Sequence, residues 1–218
     1  TIITARVFVD KLKQKGVPIE RLLDKYKVYY MEDLKANLPK IELVKNFLRV
    51  MLLPAWYLEW RFMKKVSLDD VATIIFSSGS EGMPKGVELT HLNLIGNIKQ
   101  CESVLNPSSE DVFLGSLPLF HAFGFSITTM LCLVCGVPVA TCPDPTDAKL
   151  VSRMCAQFKV TIMVATGTFL RMWGINRAVH PLMFEHIRSI YAGAEKIRED
   201  VRQLYRTKFK LEIFEGFG

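Results

Sequence analysis

Short apolar runs alternate with helix-like segments along most of this chain, and this alternation constrains the fold more than any other feature. Residues 71–76, 112–117, 160–165 and 187–191 are apolar runs of strand length, and a helix-like pattern follows each of them. Buried strands that alternate with helices are typical of α/β folds, in which crossover helices cover a parallel sheet. The sequence therefore predicts an α/β fold with a largely parallel, helix-flanked sheet.

The amino-terminal part of the chain has a different character. Residues 1–65 predict a partial α/β lobe, and residues 66–218 predict a core that carries the loop described below. The lobe ends in an amphipathic segment, residues 41–65, in which basic residues stand among aromatic ones and which Pro54 interrupts. Its charges and its proline exclude a transmembrane helix. Two interpretations stay open, a segment that lies in a membrane interface and a helical bridge that packs on the core.

Charge and cysteine content exclude two kinds of site. Lys and Arg number 28 against 22 Asp and Glu, and the net charge of +6 is spread along the chain, whereas a nucleic-acid groove needs clustered charge. The five cysteines are an odd number in apolar settings, which predicts reduced, buried thiols and an intracellular compartment. Cys132 and Cys135 have the spacing of a zinc or redox pair, but no second pair of ligands accompanies them, so no metal site is predicted.

A loop rich in glycine and serine follows the first strand of the core. Residues 76–86 read Phe-Ser-Ser-Gly-Ser-Glu-Gly-Met-Pro-Lys-Gly. Glycines let backbone N–H groups converge on phosphate oxygens, serine hydroxyls donate hydrogen bonds, and Lys85 supplies positive charge. The loop lacks the hydroxyl that follows the lysine in a Walker A loop, because Gly86 stands there, and it lacks the dinucleotide Gly-x-Gly-x-x-Gly spacing. The pattern predicts a polyphosphate site, and the alternative is a solvated turn.

Small residues also follow the later strands. Thr166-Gly167-Thr168, Gly193-Ala194 and Gly216 each lie at the end of a predicted strand. Glycines at successive strand carboxyl ends let the backbone approach a ligand closely, which predicts a planar ligand across this edge. His121 lies among aromatic residues at another strand-to-helix corner, where it is either a site residue or an ordinary structural histidine.

Four of these motifs, in this order, resemble those of the AMP-forming, acyl-adenylating (ANL) superfamily. They are the loop of residues 75–86, the Leu-Pro-Leu-Phe-His-Ala-Phe-Gly run of residues 117–124, Ala-Gly-Ala-Glu-Lys at 192–196 and Glu-Gly-Phe-Gly at 215–218. The details, with Tyr-Met-Glu-Asp-Leu-Lys at 30–35, are most similar to the acyl-[acyl-carrier-protein] synthetase half of bifunctional 2-acylglycerophosphoethanolamine acyltransferases. The resemblance implies the amino-terminal domain of an adenylating enzyme, truncated at both ends and without the carboxyl-terminal domain.

The resemblance also implies roles for individual residues. Lys85 and His121 are the implied catalytic residues, and Phe120, His121 and Phe123 flank the acyl carboxylate. Glu81 stands where most relatives have threonine and receives no firm role, while Phe217 takes the place of a tyrosine that stacks on adenine. The implied nucleotide-binding residues are Ser77, Ser78, Gly79, Ser80, Glu81, Gly82, Lys85 and Gly86 in the loop, Gly193, Ala194, Glu195 and Lys196 after one strand, and Glu215, Gly216, Phe217 and Gly218 after another.

The implied activity belongs to the full-length protein. With ATP and magnesium it would activate a fatty acid to an acyl-adenylate and transfer the acyl group to the thiol of acyl carrier protein, for reacylation of a lysophospholipid. The expected location is the cytoplasmic side of the inner membrane, and residues 1–218 alone are expected to be inactive. The alternatives are a fatty acyl-CoA synthetase, which differs only in the thiol acceptor, and a non-catalytic module that binds nucleotides or lipid surfaces.

Overall fold

A computed structural model describes residues 1–63, 65–77 and 85–216. The chain divides into two units, Thr1–Lys65 and Val66–Gly218. Of the residues assigned to the site from sequence, seven lie outside the described residues: Ser78, Gly79, Ser80, Glu81, Gly82, Phe217 and Gly218.

The first unit combines a small parallel sheet with helices. Strand β1 (Ile2–Thr4) pairs in parallel with β2 (Val28–Tyr30). Arg6 joins two elements, because its backbone N–H donates to Glu32 Oε1 at 2.9 Å and its guanidinium pairs with Asp33 at 2.6 Å. The helices are α1 (Arg6–Gln14), α2 (Glu20–Lys25), α3 (Met31–Ala36), α4 (Lys40–Leu52) and α5 (Ala55–Phe62).

The amphipathic segment forms α4 and α5, with the predicted break at Pro54. This proline lies at the N-cap of α5 with φ of −67°, where its missing N–H costs no helical hydrogen bond. Neither helix contains a buried residue. In the part of the chain that the structure describes, no helix is both long enough and apolar enough to span a membrane.

The second unit begins with an antiparallel pair of strands. Strand β3 (Val71–Ser77) pairs with β4 (Lys85–Thr90) in a register that sets Ser77 opposite Lys85 and Phe76 opposite Gly86. Helix α6 (His91–Leu105) begins directly after β4. Its N-terminus has a capping box, in which Thr90 and Asn93 each accept the other's backbone N–H. The polyphosphate loop predicted from sequence therefore lies, in sequence, between two paired strands.

A five-stranded parallel sheet organises the rest of this unit. Its strand order is β6-β5-β7-β8-β9, and every neighbouring pair is parallel. The predicted α/β fold with a largely parallel sheet is thus confirmed. The strands are β5 (Phe113–Gly115), β6 (Val139–Thr141), β7 (Ile162–Ala165), β8 (Ser189–Ala192) and β9 (Ile213–Glu215).

Helices of three kinds connect these strands. The helix predicted after residue 124 is a π-helix, Gly124–Leu131, which continues as α7 (Cys132–Cys135). The helix predicted from residue 198 likewise starts as α10 (Glu199–Leu204) and ends as a π-helix, Tyr205–Phe209. The other connections are α8 (Ala148–Gln157), α9 (Gly167–Ile175) and a 3-10 helix, Pro181–Phe184.

The interior of the sheet is apolar and closely filled. All four residues of β7 are fully buried, and so are the large side chains of Trp173 and Tyr205 on the flanking helices. Each of these two finds a backbone acceptor, since Trp173 Nε1 donates to Pro145 O at 2.8 Å and the Tyr205 hydroxyl to Leu170 O at 3.0 Å. The core therefore fixes the helices that follow β7 and β8, and with them the turns at the sheet edge.

A polar cluster lies at the amino-terminal edge of the parallel sheet, where its strands begin. Asp111, which is 3% exposed, accepts two hydrogen bonds from the Arg188 guanidinium at 2.8 and 2.7 Å and one from the Thr161 hydroxyl at 2.7 Å. These residues precede β5, β8 and β7 respectively. The Arg188 guanidinium holds the pKa of the Asp111 carboxyl far below its usual range. The cluster therefore joins the starts of three neighbouring strands through a charged side chain that is shielded from water.

Candidate functional site

The candidate site lies at the carboxyl edge of the parallel sheet. Ala165, Ala192 and Glu215 occupy matching register positions at the ends of β7, β8 and β9. Two further backbone hydrogen bonds extend this pairing beyond the strands, from Gly193 N to Ala165 O at 3.2 Å and from Gly216 N to Ala192 O at 2.8 Å. The small residues that the sequence analysis assigned to one ligand are therefore neighbours. In open α/β sheets this edge is where ligands bind.

His121 lies on the tight corner that follows β5. The backbone N–H of His121 donates to Pro118 O at 3.1 Å, and the ring atom Nδ1 of His121 accepts the backbone N–H of Phe123 at 3.3 Å. A ring that accepts at Nδ1 carries the proton of its neutral form on Nε2, so His121 is a hydrogen-bond donor at that atom. The side chain is exposed, as an interaction with a ligand requires.

Gly124 fixes the geometry of the same corner. A Cβ at this position would lie 2.3 Å from the carbonyl oxygen of Pro118. Because the obstructing atom belongs to the backbone, the contact cannot be relieved by a rotamer change. Only glycine lets the chain turn from the His121 corner into the π-helix.

Phe123 connects the His121 corner to the turn after β8. A Cβ on Gly193 would lie 2.9 Å from Phe123 Cζ, so the aromatic ring packs directly against the bare glycine backbone. The structure thus brings together a residue that the resemblance assigned to the acyl carboxylate and one that it assigned to the nucleotide, 70 positions apart in the chain. Phe120 differs from Phe123, because its side chain is 85% exposed.

The turn of residues 193–198 contains a strained residue. Ala194 has φ of +68°, a left-handed conformation that residues with a Cβ adopt at a cost of about 1 kcal/mol. Glu195 next to it accepts the Thr168 backbone N–H at 2.6 Å and the Thr168 hydroxyl at 3.1 Å. The hydrogen bond from the Thr168 N–H is the main reason why the pKa of Glu195 is lowered. Lys196 is exposed.

The far end of the same turn is held from β9. The N–H of Ile197 donates to Glu215 Oε1 at 2.6 Å, and Arg202 Nη2 pairs with Glu215 Oε2 at 3.0 Å. Sequence analysis assigned Glu215 to the nucleotide, but it did not find Arg202. No sequence signal marks this arginine, because its contact depends on how β9 pairs with β8.

A groove of about 380 Å³ lies beside this turn. Polar and charged side chains from α9 and from the turn stand along it, and Met172, Ile175 and Val201 form its apolar part. Sequence analysis did not predict this groove. The charged and polar lining residues are Thr168, Arg171, Glu195, Lys196 and Arg198.

The described part of the phosphate loop is limited to its flanks. The register of β3 and β4 sets the backbone of Ser77 beside that of Lys85, and the Lys85 side chain is exposed. The placement of residues 78–84 between them lies outside the described residues.

Cys132 and Cys135 are both free cysteines, and they differ in burial. Cys132 is 2% exposed, and burial raises the pKa of its thiol to about 12, so it stays protonated at neutral pH. Within residues 1–63, 65–77 and 85–216, no group of three His, Cys, Asp or Glu side chains is arranged to hold a metal ion.

The sequence profile of the AMP-binding enzyme family matches residues 5–218. The chain belongs to the AMP-binding enzyme family. This confirms the resemblance at the level of the superfamily. The narrower relation to acyl-[acyl-carrier-protein] synthetases goes beyond what a family match establishes.

Individual relatives agree with this membership. A probable 4-coumarate–CoA ligase 3 from Dictyostelium discoideum is 29% identical over 153 residues, which cover 68% of this chain and 28% of the relative. Among solved structures, ATP-bound MatB from Rhodopseudomonas palustris has a TM-score of 0.62 at 21% identity and covers 71% of this chain and 30% of its own. A long-chain-fatty-acid–CoA ligase from Archaeoglobus fulgidus has a TM-score of 0.61 at 23% identity and covers 71% and 32%. The chain thus spans less than a third of each of these proteins, and the two structures show a shared fold.

Proposed function

We propose that the protein to which this chain belongs is an acyl-adenylating ligase, which uses ATP to activate a carboxylic acid and then passes the acyl group to a thiol. The observation that carries the proposal is the contact of Phe123 with Gly193 at the sheet edge. It joins the motif that resembles an acyl-carboxylate site to the motif that resembles an adenine site. Family membership, and the ATP bound to MatB in its crystal structure, support the same conclusion.

In the first half-reaction, the protein contributes mainly by offsetting negative charge and less by forming covalent bonds. A carboxylate oxygen of the acid forms a bond to the α-phosphorus of ATP, and the bond from that phosphorus to the bridging oxygen breaks, so that pyrophosphate leaves with the electron pair. Two anions must approach each other in this step. Lys85 would hold the departing phosphates, and the Nε2 proton of His121 would hold a carboxylate oxygen of the acid.

Magnesium is the cofactor implied by this reaction, where it would neutralise phosphate charge. Mg²⁺ usually binds through substrate phosphates, waters and one or two carboxylates, so a protein-only cage of three acidic ligands is not required. Within the described residues, no group of three His, Cys, Asp or Glu side chains is arranged as such a cage. Glu81, the carboxylate nearest to the lysine in the loop sequence, lies outside them.

The second half-reaction distinguishes the finer alternatives. We propose a fatty acid as the substrate and the phosphopantetheine thiol of acyl carrier protein as the acceptor, for lysophospholipid reacylation at the cytoplasmic side of the inner membrane. The sequence motifs support this choice, whereas the names of the relatives from Dictyostelium discoideum and Archaeoglobus fulgidus support CoA as the acceptor. The thiolate attacks the acyl carbonyl and AMP leaves in either case.

The test uses the intact protein with ATP, magnesium and a panel of fatty-acid chain lengths. Carrier protein and CoA are offered separately, and acyl-thioester formation is measured for each. A preference for carrier protein supports the proposal. A preference for CoA overturns the choice of acceptor but keeps the adenylation step.

Binding to an anionic lipid surface is a second candidate function, and the exposed faces of α4 and α5 favour it. Trp56, Trp60 and Phe62 are 61 to 73% exposed, and a groove of about 420 Å³ lies between the two helices. Basic side chains outnumber acidic ones along this segment, and aromatic residues beside basic ones suit a lipid interface. The basic residues are Lys40, Lys45, Arg49, Arg61, Lys64 and Lys65, and the acidic ones are Glu42 and Glu59.

Vesicle sedimentation tests this second function. The protein is mixed with vesicles of neutral lipid and with vesicles that contain anionic lipid, and Trp60→Ala is compared with Phe8→Ala, an exposed aromatic residue on α1. Selective loss of binding to anionic vesicles in Trp60→Ala supports it. Equal binding by both variants, or no binding by the unmodified protein, contradicts it.

A further inference from the structure

The turn that joins β8 to α10 needs an explanation for its shape. Ala194 has a left-handed backbone with φ of +68°, although it is not a glycine. Such a conformation persists only when the surroundings determine it. The turn is exposed at Ala194, Glu195 and Lys196, so burial of these side chains does not determine it.

The first restraint comes from α9. Glu195 Oε1 accepts the Thr168 N–H at 2.6 Å and Oε2 accepts the Thr168 hydroxyl at 3.1 Å, so both carboxylate oxygens of Glu195 have partners. The N–H of Thr168 belongs to the first turn of α9, where it has no intrahelical acceptor. A carboxylate is favoured there by the helix dipole as well as by the hydrogen bond.

The second restraint comes from β9 and α10. Glu215 Oε1 accepts the Ile197 N–H at 2.6 Å, and Oε2 pairs with Arg202 at 3.0 Å. Arg202 in turn donates from Nη1 to Ile213 O at 2.7 Å, which ties α10 to β9. Ile197 is 4% exposed, so its amide is fixed by side-chain packing as well as by Glu215.

We infer that Glu195 and Glu215 are positioning residues that together hold the turn of residues 193–198 in the shape that receives the purine nucleotide. This inference rests on the proposed adenylation function. It changes the role that sequence resemblance gave to these residues, because each carboxylate acts through the backbone of the turn and does not contact the ligand itself. Their charge is already engaged by Thr168, by Ile197 and by Arg202, whereas the exposed backbone at Ala194 remains to border the base.

Both restraints act on the part of the turn that follows Ala194 in the chain. The side chain of Glu195, the residue directly after Ala194, holds the turn to α9, and Glu215 holds the amide of Ile197 to β9. At the other end, Gly193 N is held by Ala165 O at 3.2 Å. Loss of either carboxylate should release one of these two restraints, let Ala194 relax toward a common conformation and lower nucleotide affinity by about tenfold, the size expected for one charge-assisted hydrogen bond.

The test compares five variants of the intact protein: Glu215→Ala, Glu215→Gln, Glu195→Ala, Glu195→Gln and the control Glu212→Ala. Glu212 is an exposed acidic residue just before β9 whose carboxylate pairs with Arg206, outside the turn. Glutamine keeps an oxygen that can accept the backbone N–H, so the two Gln variants should retain most of the wild-type behaviour. Amide hydrogen exchange of residues 193–198, AMP affinity, the KM values for ATP and fatty acid, and Tm are measured for each.

The expected result is about tenfold faster exchange in the turn and about tenfold weaker AMP binding for the two Ala variants, with the KM for ATP raised and the KM for fatty acid little changed. Turn exchange and AMP affinity like those of Glu212→Ala would overturn the inference. So would equal losses in the Ala and Gln variants, because then the carboxylate itself would be the ligand contact. Absence of adenylation activity in the unmodified protein would contradict the proposed function. Amide hydrogen exchange does not depend on catalysis, so in that case it would still decide the role of the two carboxylates.

Discussion

The five-stranded sheet and the α4–α5 pair are both rich in apolar residues, but the sheet buries them and the helix pair leaves them exposed. Every residue of β7 is fully buried, whereas no residue of α4 or α5 is buried and Leu52 is 76% exposed. The difference teaches that apolar content alone does not reveal which segment stabilises the fold. The sheet buries its apolar side chains around the elements that position the candidate site, whereas α4 and α5 leave theirs exposed.

The largest effect is expected from Asp111→Ala, which removes the charged centre of the cluster at the start of the sheet. Thr161 and Arg188, whose side chain is 44% exposed, would lose their shared partner, and the loss of these charge-assisted hydrogen bonds should cost about 3 kcal/mol of the free energy of unfolding. Urea unfolding measures the change. Glu110→Ala, at an exposed neighbouring position, is the control and should change the free energy by less than about 0.5 kcal/mol. Equal losses in the two variants would show that the cluster is not what stabilises the sheet.

The same cluster predicts how stability depends on pH. Arg188 lowers the pKa of Asp111 in the folded state, so this carboxyl contributes its stability above about pH 4, the range in which an unfolded Asp is ionised. As the pH falls from about 4 towards the lowered pKa, that contribution is lost. The difference in free energy of unfolding between wild type and Asp111→Ala should therefore narrow on acidification. A constant difference between pH 6 and pH 2 would contradict the assignment.

A smaller loss is expected from Gly124→Ala at the His121 corner. The added Cβ would lie 2.3 Å from Pro118 O, and the backbone shift that relieves it should cost about 2 kcal/mol. Gly96→Ala in α6 is the matched control, because nothing lies within 4 Å of its Cβ position, and it should stabilise the protein by up to about 1 kcal/mol. Thermal unfolding of both variants gives the sign of each change in stability. Destabilisation by the α6 variant, or none by the corner variant, would contradict this reading.

The smallest effect on stability is expected from Trp60→Ala in α5. The indole is 73% exposed, so its removal should change the free energy of unfolding by less than about 0.5 kcal/mol. Chemical unfolding checks this expectation separately from vesicle binding. A decrease in the free energy of unfolding of more than about 2 kcal/mol would mean that the helix pair contributes to the core, as the sheet does.

Much of the fold follows from local sequence signals. The apolar runs predict β5, β7 and β8, Gly16 ends the first helix with φ of +73°, and Asn106 ends α6 in the left-handed region. Strand β4 was not predicted, because residues 85–90 mix polar and apolar side chains and its partner lies across the loop. The π-helices were not predicted either, since an apolar run of this length does not distinguish a π-helix from an α-helix.

The candidate site was predictable in composition but not in its contacts. Gly193 and Gly216 could be assigned to one edge because parallel strands end on the same side of a sheet. The hydrogen bond from Ile197 to Glu215 could not, because it depends on the register that sets Ala192 opposite Glu215. The contact between Phe123 and Gly193 likewise arises only from packing of segments that are distant in the chain.

ATP–pyrophosphate exchange tests most directly the proposal that the intact protein activates a fatty acid as its adenylate. We expect exchange that requires both fatty acid and magnesium and that falls at least about a hundredfold in Lys85→Ala, since the lysine would hold the leaving phosphates. Exposed Lys149 on α8 provides the matched control, and Lys149→Ala should retain the wild-type rate. Absence of fatty-acid-dependent exchange in a protein that binds ATP would contradict the proposed adenylation, and exchange that is unaffected by Lys85→Ala would contradict the role of Lys85 in it.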